Sequence, residues 1–286
     1  MNHPLRLSCA DFSFPLLPHR EALRLIKMLD IEAVDLGLFS GRSHLQPEHI
    51  LSNPSGVGRQ LKKRLEEEGL KPADVFVQLG CEPGDRAVND PDLRIRQENR
   101  DRFRAMIEFA RTMECLHMTG LPGVWIQGQS SEDGLQLAVQ ETAWRLAAAQ
   151  EAGVTYAVEP HVGSNCATPE VTLAFLKQVP GLTLTLDYGH FVFQGLHTRD
   201  ADILLPQASH FHARCGAKGR LQARFSHNQI DFRFIVRHCQ AAQNPLRICL
   251  EYVWVDWEGC NEVDNLSETI LLKRHLQDIA AQCDIK

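Results

Sequence analysis

The sequence predicts an α/β protein, a single (β/α)8 TIM barrel occupying residues 1–286 as one domain. Three observations lead there. Short apolar runs containing β-branched residues alternate along the whole chain with longer segments of helical period. Eight such strand-then-helix units can be counted, in a chain slightly longer than the roughly 250 residues this architecture usually needs. No linker, charge block or low-complexity stretch marks a second domain.

Taken in order, residues 5–14 form the first apolar run, and residues 18–29 its helix, with Leu25, Ile26 and Leu29 on one face. Residues 33–39 are the second strand. A charged helix over residues 59–69 leads to strand three at 74–80, and a helix over 96–113 leads to strand four at 115–119. The next helix has the clearest limits: Ser130 and Asp133 stand at capping-box spacing, Leu135, Val139 and Leu146 share a stripe, and Gly153 stops it. Strands five to eight are expected at residues 155–161, 182–187, 209–213 and 247–253. The sixth helix, within residues 191–205, reads as short and interrupted, whereas the last, 267–281, carries Leu272, Leu276 and Ile279 in register.

Composition limits the function. With 30 basic against 36 acidic residues the formal charge is −6, which repels polyanions and gives no nucleic-acid footprint. The nine cysteines include no C-x-x-C pair, which reads as reduced thiols and not a disulfide or structural zinc framework. No apolar run suits a signal peptide or a membrane span, so a cytoplasmic protein with no membrane partner is expected.

Strand parity then sorts the polar residues. Side chains that face the barrel interior alternate with those that face the helices. If Leu182, Leu184 and Leu186 face outward, Thr183, Thr185 and Asp187 face inward; likewise Glu159 follows Thr155 and Ala157, Glu251 follows Cys249, and His212 follows His210. Glu159, Asp187, His212 and Glu251 therefore share one face at the carboxyl ends of strands five to eight, where barrels of this kind build their sites. Taken singly, each of these carboxylates could be a cap or an ion-pair partner, and His161, His190 and His210 could be structural. Four inward polar residues at equivalent places in successive strands are hard to obtain by chance. Three converging carboxylates also repel one another unless a cation sits among them. An oxygen-rich set with one imidazole suits one divalent metal ion, Mn2+ first, Mg2+ or Co2+ next, and Zn2+ less naturally.

With Glu159-Pro-His161, Asp187-Tyr-Gly-His190, His210-Phe-His212 and Glu251-Tyr252 in view, the chain resembles the xylose isomerase-like TIM-barrel superfamily, in particular its sugar phosphate isomerase/epimerase branch, over nearly its whole length. The resemblance implies that Glu159, Asp187, His212 and Glu251 hold the metal, and that Glu159 and Glu251 also move the substrate's proton. His190 would hydrogen-bond a substrate oxygen or a metal-bound water, and His161 would do the same or orient Glu159. The implied reaction is isomerisation or epimerisation of a ketose, sugar phosphate or sugar acid through a metal-stabilised enediolate. A lyase of the same family, decarboxylating or dehydrating a 3-oxo sugar acid through an enolate, is the alternative. The expected partner is a small carbohydrate or sugar acid, and a homodimer or homotetramer is compatible with the resemblance.

Two loops complicate a plain sugar epimerase. Arg214, Lys218 and Arg220, after strand seven, are either a solvated basic loop or an anchor for a substrate carboxylate or phosphate. Trp254 and Trp257, after strand eight, could close over a substrate or pack on the rim. Apurinic-site endonucleases share the barrel, but their extra zinc ligands have no match here: strand three ends in Val77-Gln78-Leu79 and His117 precedes the end of strand four. A barrel that binds a sugar without acting on it is the remaining alternative.

Overall fold

The computed structural model describes residues 3–241 and 246–283, with the Cys283 side chain excepted. Eight parallel strands close into a barrel in sequence order: β1 (Arg6–Ala10), β2 (Ala33–Phe39), β3 (Lys71–Gln78), β4 (His117–Gly120), β5 (Thr155–Val158), β6 (Thr183–Asp187), β7 (Ala208–Ala213) and β8 (Arg247–Leu250). Closure is made by β1 against β8, in register from Arg6 opposite Arg247 to Cys9 opposite Leu250.

The helices outside are α1 (His19–Met28), α2 (Pro47–Leu51), α3 (Pro54–Glu67), α4 (Leu93–Thr112), α5 (Ser131–Glu151), α6 (Pro169–Gln178), α7 (Tyr188–Phe193), α8 (Phe232–Ala241) and α9 (Asn265–Cys283). Side chains that satisfy orphan backbone donors start several of them. Asn53 accepts from Gly56 N at α3, Asp92 from Arg94 N at α4, Ser130 from Asp133 N at α5 and Thr168 from Val171 N at α6. Two of these caps explain earlier starts than periodicity suggests: α3 begins at Pro54 and α4 at Leu93, before the apolar stripe of either helix. The segment between β6 and β7 is interrupted, as the sequence suggests, into α7 and a 3-10 stretch at Thr198–Gln207.

Strand parity holds along β6 and β8 and along the upper part of β7. Leu184, Leu186, Phe211, Ile248 and Leu250 are buried in the large apolar core between barrel and helices. Much of the barrel interior is polar, and many of its buried groups pair with one another across it. Near the amino ends, His117 Nδ1 lies 2.6 Å from Asp74 Oδ1, and Ser209 bridges His117 and Thr183 at 2.8 Å on each side. Ser209 can share the interior with His210 because the register shifts between β6 and β7, Leu184 pairing with Ala208 but Thr185 with His210. One layer higher, Thr119 bonds Thr185 at 2.7 Å and His210 Nε2 lies 2.5 Å from Asp35 Oδ2. Above Asp35 and Asp74, the upper interior next to β1–β3 is apolar instead, with Ala10, Phe12, Phe39, Phe76 and Cys249 of β8 in a separate cluster. Among the described residues no helix is long and apolar enough to cross a membrane.

Leu184, fully buried on the outer face of β6, measures the dependence of the fold on this packing. Leu184→Ala should cost about 2–5 kcal/mol, read as a lowered midpoint in denaturant with an unchanged slope.

Candidate metal centre

Four strands deliver the polar residues of the barrel mouth. Glu159 follows β5 directly and its amide still donates to Gly120 O at 2.9 Å; Glu251 follows β8 and donates to Ala213 O at 3.0 Å. Asp187 ends β6 opposite His212 of β7. All four are at least 95% buried. Asp187 also caps α7, accepting from Gly189 N at 2.7 Å. The glycine is needed there, because a β-carbon on Gly189 would stand 2.9 Å from Asp187 Oδ1 and 3.2 Å from Leu221 O. That close approach accounts for the glycine in Asp187-Tyr-Gly-His190.

The geometry brings the two glutamates to the same ring nitrogen. His212 Nδ1 lies 2.6 Å from Glu159 Oε1 and 3.3 Å from Glu251 Oε2, while its Nε2 faces Asp35 Oδ2 at 3.8 Å. Arg214 turns back into the mouth, its Nη2 lying 2.5 Å from Asp187 Oδ2 and 3.2 Å from His190 Nε2. Arg214 is thus the counter-ion of Asp187, with what remains of its guanidinium edge lining the cavity.

Charge balance in this volume is incomplete. Asp187 has Arg214, Glu159 has His212, and Glu251 has no cation of its own. Burial disfavours a charged ring at His212, yet Glu251 and Glu159 overcome it and push the imidazolium up to about 10. Burial, reinforced by the Glu159 and Asp187 carboxylates, pushes Glu251 up to about 8. Against its own burial, Glu159 is held below the ordinary range by His212, while burial raises Asp187 despite Arg214. Burial and then Arg214 keep His190 well below its usual value, so its ring is neutral.

A divalent ion suits this set. The donor atoms of Glu159, His212 and Glu251 lie within 4.8 Å of one another, as do those of Glu159, Asp187 and His190. Glu251 Oε2 is buried and accepts no hydrogen bond. Two further donor groups lie deeper in the barrel, Asp35 with His210 and Cys249, and Asp35 with Asp74 and His212; there Asp35 is already bonded to His210.

Glu159 and Glu251 open into a cavity of about 700 Å³, behind whose lining Asp187 and His212 lie. Its β5–β8 wall carries Glu159, His161, His190, Arg214 and Glu251; its β1–β4 wall carries Phe12, Phe39, Phe76 and Leu121, with Arg42 and Gln78. Trp254 and Trp257 line it from the loop after β8, which includes the left-handed residues Glu258 and Gly259. His161 bonds its own loop at Val162 O, 2.9 Å, and its Nε2 is buried without a partner. Lys218 and Arg220 are not brought to the cavity. Residues 217–220 form a tight two-residue turn with Gly219 at φ +70°, which leaves both cations exposed; Lys218 lies along Gly195, and Arg220 stands 3.6 Å from Glu262.

The sequence profile of the xylose isomerase-like TIM barrel family matches residues 23–272. The chain belongs to that family. Among solved structures it is similar to D-psicose 3-epimerase crystallised in the presence of D-fructose, with a TM-score of 0.74 and 11% identity over 96% of this chain and 99% of the other. The probable 3-DHS dehydratase of Bacillus anthracis involved in petrobactin synthesis gives 0.68 and 13%, covering 94% and 99%. A xylose isomerase-like TIM barrel protein from Mycobacterium smegmatis in complex with magnesium gives 0.66 and 15%, covering 97% of each chain. At these identities the likeness shows the shared barrel. No curated protein matches the chain in sequence.

Metal binding should displace the protons on His212 and Glu251, about two per ion near neutral pH. Affinity should therefore rise with pH, most steeply below about 8, where Glu251 loses its proton, and less steeply from there to about 10, where His212 loses its own; it falls in acid as both ligands hold theirs. Mn2+ calorimetry in buffers of different ionisation enthalpy reads the proton count; a buffer-independent heat would contradict it. Asp187→Ala and His212→Ala should each lose stoichiometric metal, measured by elemental analysis after dialysis.

Proposed function

We propose that this protein is a divalent-metal-dependent isomerase or epimerase acting on a small sugar or sugar acid through an enediolate. The observation that carries the reading is the convergence of Glu159, Asp187, His212 and Glu251 in one buried mouth with a charge balance that lacks a cation. Those four residues would hold the ion, Mn2+ being the best match to an oxygen-rich set with one imidazole. When bound it would supply Lewis acidity, polarising a substrate carbonyl and its neighbouring hydroxyl so that the proton between them becomes acidic.

The protein's own residues would do the rest. Glu159 and Glu251 reach the mouth from β5 and β8, either side of β6 and β7. Before an ion binds, their environments differ: His212 holds Glu159 low against its burial, while burial raises Glu251. With the ion held both would be ionised, so that one could remove a carbon-bound proton and the other, or the same group once protonated, return it. His161 Nε2, buried and without a partner, would hydrogen-bond a substrate oxygen, and His190 would do so as a neutral ring. Arg214 would fix Asp187 and hold charge developing on oxygen.

A lyase outcome is the second reading, supported by the similarity to a probable dehydratase. Loss of water or carbon dioxide from a 3-oxo sugar acid passes through the same stabilised enolate, so the residues would keep their roles. Nuclease action is disfavoured by the formal charge of −6 and by Glu82 and Asp256 on the cavity lining, which repel a phosphate backbone.

The test is incubation of the Mn2+-loaded protein in D2O with ketoses, sugar phosphates and 3-oxo sugar acids, followed by NMR. Deuterium entering an intact carbon skeleton is the expected result; carbon dioxide or water loss would select the lyase, and no exchange with any of them would contradict both readings. Glu159→Gln and Glu251→Gln should each lower turnover about 10²- to 10⁴-fold. Equal, undiminished rates in both would remove them from proton transfer.

A further inference from the structure

The apolar wall of the cavity carries a cation with no counter-charge. Arg42 lies in the loop after β2, and its guanidinium sits above the Phe39 ring at 5.6 Å from the centroid. Its Nη2 donates to Gln78 Oε1 at 3.0 Å, and Gln78 is itself fixed because its Nε2 donates to Gly80 O at 3.1 Å. The loop is stapled by Ser43, whose hydroxyl accepts from Phe39 N at 2.9 Å and donates to Leu45 O at 2.6 Å. Arg42 is therefore held in place by neutral groups. Its Nε is buried without a partner, and among the described residues no carboxylate stands at ion-pair distance from it. Burying part of a guanidinium without an anion is costly, and the cost is recovered if a ligand brings the anion.

We infer that Arg42, oriented by Gln78, anchors a carboxylate on the substrate, which makes the preferred substrate a sugar acid and not a neutral ketose. The proposal rests on the metal-centred reading above only for the placement of the reacting end. Between the two ends the surface is aromatic: the His212 and Phe76 rings are 5.3 Å apart, Phe76 and Phe39 5.0 Å, and Arg42 follows. Carbon–hydrogen faces of the substrate would pack on those rings while its carboxylate met the guanidinium in a poorly hydrated setting that strengthens the pair. A carboxylate is favoured over a phosphate ester by charge. A phosphate carries about −1.5 to −2 near neutral pH, whereas this wall offers one guanidinium, with Glu82 and Asp256 also lining the cavity. Arg214, the cation on the opposite wall, is engaged by Asp187. The planar fork of Arg42 matches a monoanion bound through two oxygens.

The experiment measures binding, by calorimetry on the Mn2+-loaded protein, of three six-carbon probes: gluconate, fructose and fructose 6-phosphate. Gluconate should bind the wild type more tightly than fructose. Arg42→Met should weaken gluconate about 10- to 100-fold while fructose affinity and Mn2+ content stay unchanged. Arg42→Lys, which keeps the charge but loses the fork, should give an intermediate loss and decides the matter if the first variant does not fold. The proposal is overturned if gluconate fails to bind the wild type, binds both variants as well as wild type, weakens in step with fructose, or if the phosphate ester is the probe that depends on Arg42. Failure of the metal reading shows separately, as wild-type protein that retains no Mn2+; the Arg42 dependence of gluconate binding is then read on the metal-free protein.

Discussion

Three carboxylates in one buried mouth set the terms for everything around them. Glu159, Asp187 and Glu251 are nearly inaccessible to water, and their mutual repulsion must be met by cations within a few ångströms. Arg214 answers one and the His212 proton another. The third stays protonated well above its ordinary range, which marks a place for positive charge that the side chains do not supply. A fold stabilised chiefly by burial tolerates such a site only where it has a use, since apolar residues in the same positions would pack at lower cost.

The rest of the barrel is arranged to hold this centre still. Beneath it lie paired polar layers, Asp35 with His210 and Asp74 with His117 and Ser209, so that the strands carrying the ligands are tied across the interior by hydrogen bonds as well as by backbone ladders. Asp35 also places a carboxylate under the far nitrogen of His212, favouring the ring orientation that presents Nδ1 to the two glutamates. On the opposite side Phe12, Phe39 and Phe76 pack edge to face and keep half of the cavity dry. One wall is suited to chemistry and the other to recognition.

Much of this is legible in the sequence because side chains alternate along a strand between barrel interior and helices, a rule broken in β7 only at Ser209, where the register shifts. The outward leucines of β6 fix Asp187 inward, and the same reasoning places Glu159, His212 and Glu251, at positions where the structure finds all four. The limits are equally physical. Whether Arg214, Lys218 and Arg220 share a direction depends on the tight turn at 217–220, whose geometry turns two of them to solvent; the glycine at 219 hints at a turn but not at its direction. The Arg42 site was not read from sequence, although Asp35, Gly37 and Phe39 of β2 and Asp74, Phe76 and Gln78 of β3 have the inward parity that would have exposed the aromatic wall. A loop arginine has no periodicity to announce it; only the absence of a carboxylate beside it in three dimensions singles it out.

The central claim is that one divalent ion completes the charge of the barrel mouth, and anomalous diffraction from crystals grown with Mn2+ tests it most directly. One peak bounded by Glu159, Asp187, His212 and Glu251 is the result expected from the charge balance. No peak there, or one at the deeper group of Asp35, His210 and Cys249 instead, would contradict it.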